Sequence, residues 1–218
     1  MDFLDIHTHH TAQKRGATTI QSLSLTSDIF LAMPKTKPIS IGLHPWYARL
    51  DQLDMQMKYL SVLSIQPNVK LIGECGLDKL KGENLGNQTI ILERQIEVAE
   101  QLNKPLILHC VKAFSEIIAI KKRLKVNVPM IIHGFNKGEY LGKQLLQNGF
   151  LLSFGVSIFK ENSGSQKLIE QHDNFFLETD DSTISIEEIY QQAANLKKCS
   201  VDEMKEVIFT NWKNLNLF

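Results

Sequence analysis

Histidines and carboxylates recur in this chain where short apolar runs end. Asp5-Ile6-His7-Thr8-His9 closes the first such run and Gly73-Glu74 another, with Asp78 shortly after; His109, His133 and Glu178-Thr179-Asp180 close three more. Residues two apart on a strand share a face, so His7 and His9 can converge on one ion. Imidazoles with carboxylates are a donor set for Zn, Mn, Fe, Ni or Mg in hydrolytic centres. A carboxylate such as Glu74 can bridge two ions, which then clamp the attacking and leaving oxygens. Four histidines at run ends, beside two similarly placed acids, point to metal-dependent chemistry rather than to structural histidines.

The elements that must carry these groups follow from the pattern. Strands are expected at residues 3–7, about 18–25, 39–43, 70–74, 105–109, 130–133, 150–154 and 175–178. Most of these runs are continuously apolar rather than alternating, as for strands covered on both faces. Helical periodicity runs over 89–102, 113–124, 140–148, 186–196 and 201–218, and Ser200 with Glu203 reads as a capping box. Leu53, Met55, Met57 and Leu60 read as the face of a further helix packing on the strands. Eight strands alternating with helices predict an α/β fold, a (β/α)8 TIM-type barrel with the metal site at the C-terminal ends of the strands. Such barrels run to about 250 residues, so one of 218 residues is trimmed. The trimming falls early: residues 10–17 are too few for a crossover helix, and 26–33 allow only a stubby one. Without repeats or a linker-like stretch, residues 1–218 read as one domain.

Composition narrows the function. Lys+Arg and Asp+Glu both number 24, which excludes a strongly cationic protein that coats nucleic acid by bulk electrostatics but leaves a local basic groove open. No apolar run reaches the ~18–20 residues of a membrane span, and the N-terminus lacks a secretory pattern. Three scattered cysteines suit a reducing cytoplasm, and nothing implies an obligate protein partner.

Six segments, in order, resemble the TatD-like metal-dependent hydrolases. They are Asp5-Ile6-His7-Thr8-His9, Gly42-Leu43-His44-Pro45, Gly73-Glu74-Cys75-Gly76-Leu77-Asp78, Leu108-His109-Cys110, His133-Gly134-Phe135 and Leu177-Glu178-Thr179-Asp180. The region of Asn211-Trp212 is similar to the family's terminal segment. The resemblance implies one or two divalent ions and a deoxyribonuclease-like phosphodiesterase acting on DNA or another phosphodiester. It implies that His7, His9, Glu74 and Asp180 hold one ion, and that Glu74, His109 and His133 hold the second. It places His44 at the substrate phosphate or at a proton transfer, and gives Asp180 a further role in orienting or deprotonating the attacking water. Two departures bear on the substrate: Asp181-Ser182-Thr183 stands where the family has a small residue and proline, and Val111-Lys112 where it often has arginine. Hydrolysis of an amide, ester or lactone, or a non-catalytic metal-binding barrel, are the alternatives.

Other polar residues have plainer readings. His10 faces away from His9 on a continued strand, and His172 lies in a polar loop. Cys75 and Cys110 read as small packing groups, and Asp78 as an organiser of its loop. Lys112 suits either a substrate phosphate or the cap of the next helix. Lys121, Lys122, Arg123 and Lys125 read as a solvated helix end. Trp46 and Tyr47 suit either stacking on a base or packing at the rim.

Overall fold

The computed structural model describes residues 1–12, 15–25 and 33–218; the expected short helix at 26–33 falls almost entirely outside them. Eight strands lie side by side in chain order: β1 (Phe3–Thr8), β2 (Ala17–Ser24), β3 (Ile39–Gly42), β4 (Val69–Asp78), β5 (Leu106–Val111), β6 (Met130–Ile132), β7 (Phe150–Phe154) and β8 (Phe176–Leu177). The pairings are parallel. Seven α-helices alternate with them among the described residues: α1 (Leu53–Leu63), α2 (Leu85–Leu102), α3 (Phe114–Leu124), α4 (Glu139–Gln147), α5 (Gly164–Gln171), α6 (Ile186–Lys197) and α7 (Val201–Asn214). This is the expected (β/α)8 class. No described helix is long and apolar enough to cross a membrane.

The contacts divide the chain into two compact units, Met1–Gln21 with Ile132–Phe218, and Ser22–Ile131. In the first, Ile6, Phe176, Tyr190, Ile208 and Trp212 are fully buried between β1, β8, α6 and α7. Burying such side chains stabilises by about 1.5–3 kcal/mol each. Both C-terminal helices open with complete capping boxes, Ser185 with Glu188 and Ser200 with Glu203. The bridge Thr8 to Asp180 joins β1 to the chain just past β8. In the second unit, Leu60, Ile72, Leu92, Leu106 and Ile117 form the core under α1, α2 and α3.

Several boundaries differ from the periodicity, each for a local reason. β4 continues to Asp78 because Gly76, at φ +142°, lets the strand pass the carbonyl of His109, which a Cβ there would meet at 2.0 Å. α2 starts at Leu85, where the side chain of Asn84 accepts from the backbone N–H of Asn87. α5 is an addition: its only buried apolar side chains are Leu168 and Ile169, too short a stripe to announce a helix. Met55 is corrected: it is 54% exposed, since two residues of helix rotate it away from buried Leu53 and Met57.

Candidate functional site

In the first unit the backbone brings the groups together. Asp180 adopts a left-handed conformation (φ +54°) three residues past the end of β8. Its N–H donates to the His7 carbonyl at 2.9 Å, and its own carbonyl accepts from His9 N–H at 3.0 Å. So laced, its Oδ1 stands 3.6 Å from His7 Nε2 and 3.5 Å from His9 Nε2. The His7 ring lies 4.3 Å from that of His133. The ligand atoms of His7, His133 and Asp180 all fall within 4.8 Å of one another. Glu178, buried one residue past β8, accepts from Gly134 N–H at 2.6 Å and stands 3.5 Å from His133 Nδ1.

Beneath this group Asp5 is buried, and its carboxylate accepts from Thr179 N–H at 3.1 Å, Thr179 Oγ1 at 2.6 Å and His7 N–H at 3.3 Å. Burial pushes Asp5 up to about 7 against the pull of the Thr179 hydrogen bonds. A cavity of about 330 Å³ opens beside Asp5, Thr8, His10, Thr179, Ser182 and Ser185, and neither His7 nor Asp180 lines it. β1 ends at Thr8, before His10, whose Nε2 lies 2.8 Å from the Ser182 carbonyl.

In the second unit side chains do the positioning. His44 Nε2 and His109 Nδ1 each lie 2.9 Å from Oε1 of buried Glu74. The other nitrogen of His44, Nδ1, accepts from Trp46 N–H at 3.2 Å. The other nitrogen of His109, Nε2, meets Asp78 Oδ2 at 3.2 Å. Asp78 also accepts from Trp46 Nε1 at 2.6 Å and from Leu80 N–H at 2.7 Å. Burial pulls Asp78 upward, but the hydrogen bonds from Trp46, Leu80 and His109 outweigh it and hold the carboxyl below its ordinary value. Asp78 therefore organises its loop, as expected, and also grips a histidine.

Two glutamines of α2, invisible to motif reading, fix the strand ends. Gln95 accepts from Leu43 N–H at 2.7 Å and donates to the Leu43 carbonyl at 3.2 Å, next to His44. Gln88 accepts from Asp78 N–H at 2.8 Å and donates to the carbonyls of Asp78, Lys81 and Glu83. Both are buried, so the side-chain amides supply partners for backbone groups that the diverging strands leave behind. Their signal in the sequence is a polar residue seven apart on an otherwise apolar helix face.

The remaining expected residues take simple places. Lys112 is exposed one residue past β5, at φ +56°. Trp46 and Tyr47 pack on His44 with ring centroids 4.9 and 5.5 Å away, and Lys81 Nζ lies 3.6 Å over the indole. Cys75 is buried, and burial pushes its thiol up, out of nucleophilic range. His172 caps the end of α5 rather than lying in an open loop.

Both units thus carry a donor set suited to a divalent cation: imidazole nitrogens and carboxylate oxygens gathered within 4.8 Å, as His7, His133 and Asp180 in one and His44, Glu74 and His109 in the other. In the second, two imidazole nitrogens lie 2.9 Å from one buried carboxylate oxygen.

Comparison with known proteins agrees with this chemistry. An uncharacterized metal-dependent hydrolase of Methanocaldococcus jannaschii is 27% identical over 187 residues, covering 79% of this chain and 73% of the relative. The uncharacterized metal-dependent hydrolase YabD of Bacillus subtilis is 25% identical over 194 residues, covering 81% and 76%. The crystal structure of YjjV, a TatD homolog from Escherichia coli, superposes with a TM-score of 0.80 over 98% of this chain and 97% of that one, at 19% identity. The model of the family described as TatD related DNase matches residues 5–216, and the chain belongs to that family.

Proposed function

We propose that this metal-dependent hydrolase of the TatD related DNase family cleaves phosphodiester bonds in DNA. The ligands assigned to one or two divalent ions are His7, His9, Glu74, His109, His133 and Asp180. The observation that carries the reading is the gathering of imidazoles and carboxylates at strand ends in each unit of a chain from this family. Divalent ions in such sites lower the pKa of water and neutralise charge developing on phosphoryl oxygens. The chain's own groups do the rest. Asp180 orients the attacking water and takes its proton, His44 stands at the substrate phosphate or at a proton transfer, and exposed Lys112 meets the substrate phosphate.

The test is hydrolysis of end-labelled single-stranded DNA with Mg, Mn and Zn in turn, with EDTA and Glu74→Ala controls. Metal-dependent cleavage lost in both controls is the expected result. The shared role assigned to Glu74 is read from metal stoichiometry, since Glu74→Ala should then weaken both ions rather than one. Val111-Lys112, in place of the arginine frequent in the family, favours a second reading, hydrolysis of a carboxylic ester, amide or lactone. Faster turnover of a carboxylic ester than of a phosphodiester model substrate, with the same metal requirement, would establish that reading instead.

A further inference from the structure

We propose that Trp46 sets His44 and His109 in opposite roles, through its backbone N–H on one ring and, by way of Asp78, its indole N–H on the other. His44 is thereby a hydrogen-bond donor and His109 a metal ligand, although both rings touch the same carboxylate oxygen.

The argument is one of donors and acceptors. A backbone N–H can only donate, so His44 Nδ1, 3.2 Å from Trp46 N, must present a lone pair. The proton of the neutral ring then sits on Nε2, 2.9 Å from Glu74 Oε1, and donates. A nitrogen that keeps its proton cannot bind a cation. His44 is therefore excluded from the ligand set, even though its ring lies in a group of three compact enough to hold an ion.

His109 is the reverse. Asp78 receives N–H groups from Trp46 and Leu80, so it stands as a carboxylate that only accepts. His109 Nε2 must donate to it, which leaves the Nδ1 lone pair facing Glu74 Oε1 at 2.9 Å. Two lone-pair atoms at that distance call for a cation near both. Orientation of a ligating imidazole by a carboxylate on its far nitrogen is a general device, and losing the partner costs about 10–100-fold in metal affinity. Gln88 completes the relay by binding both the N–H and the carbonyl of Asp78. Trp46, Asp78 and Gln88 are positioning residues, none of which bonds the ion.

The inference rests on the metal reading above, and its test separates the two. Protein labelled with ¹⁵N at histidine is observed by NMR without metal and then loaded with ¹¹³Cd. In the metal-free protein both His44 and His109 should carry a proton on Nε2; a bare Nε2 on either ring would overturn the assignment. In the loaded protein ¹¹³Cd–¹⁵N coupling should appear at His109 Nδ1 and not at His44; coupling at His44, or at His109 Nε2, would overturn it. Trp46→Phe keeps the backbone N–H and removes the indole N–H, so His44 should be unchanged while cadmium affinity falls about tenfold. Asp78→Asn should weaken binding more, and unaltered affinity in both variants would overturn the indole half. A wild-type protein that binds no cadmium overturns the metal reading and the ligand role of His109, while its metal-free spectra still decide the two tautomers.

Discussion

The two units gather the same kinds of side chain by different means. In the first, the backbone laces Asp180 between His7 and His9, and the carboxylate reaches both rings at 3.5–3.6 Å. In the second, β3, β4 and β5 bring rings and acids to 2.9–3.2 Å, and buried glutamines and Trp46 hold them there. A centre held by backbone tolerates a changed side chain with its frame intact. A centre held by side chains transmits each loss to its neighbours.

The sharpest trial of that difference pairs Glu74→Ala with Asp180→Asn. Both should lower DNA cleavage by three orders of magnitude or more, about 4 kcal/mol of barrier. Only Glu74→Ala should also change the side-chain ¹⁵N signals of His44 and His109, because it removes the oxygen that both contact. An Asp180→Asn protein whose His7 and His9 backbone amide signals moved as far would break the comparison.

Stability provides the next contrast. Gln88→Leu strips partners from four backbone groups around Asp78 and should cost about 3 kcal/mol in urea unfolding of the metal-free protein, at about 1–3 kcal/mol for each buried group left unsatisfied and with part recovered by water. Thr179→Val removes one hydroxyl donor to Asp5 and keeps the Thr179 backbone bond, so about 1 kcal/mol is expected. Equal losses in the two variants would mean that side chains carry the first unit as well.

The smallest effect is one of pH, at the edge of the second unit. Glu100 accepts from the N–H groups of Asn127 at 2.7 Å and Val128 at 2.9 Å. Burial pulls it upward, but these bonds outweigh it and hold the carboxyl below its ordinary value. A depressed carboxylate stabilises the fold above its unfolded pKa and loses that contribution as pH falls through its folded pKa. Glu100→Gln should therefore lower Tm by about one or two degrees at pH 6, and the gap from wild type should narrow as pH falls below the ordinary carboxylate range.

What the sequence discloses is the chemistry that depends on strand ends. The two-residue spacing of His7 and His9, and the apolar runs that stop at His109 and His133, place those groups without reference to tertiary contacts. Ser200 and Glu203 likewise announce α7 from four residues alone. The relay of Gln88, Asp78 and Trp46 is different, because it exists only once α2 lies against β4. Glu178 stands two residues before Asp180 in the sequence, yet its grip on Gly134 N–H needs β8 beside the chain that follows β6. Local patterns name the ligands, while the groups that aim them belong to packing. β8 shrinks to Phe176–Leu177 because Thr179 and Asp180 turn aside to bond Asp5 and β1.

The division of contacts also bears on how the chain emerges from a ribosome. The second unit is one continuous stretch, Ser22–Ile131, whereas the first joins Met1–Gln21 to residues that follow Ile131. Those 110 intervening residues take roughly 6–20 s to synthesise at cellular rates. During that interval β1, with Leu4 and Ile6 bound for the core, has none of its β8, α6 or α7 neighbours. The strand that carries His7 is thus made well before most of the residues that enclose it, so its apolar face waits on the C-terminal segment.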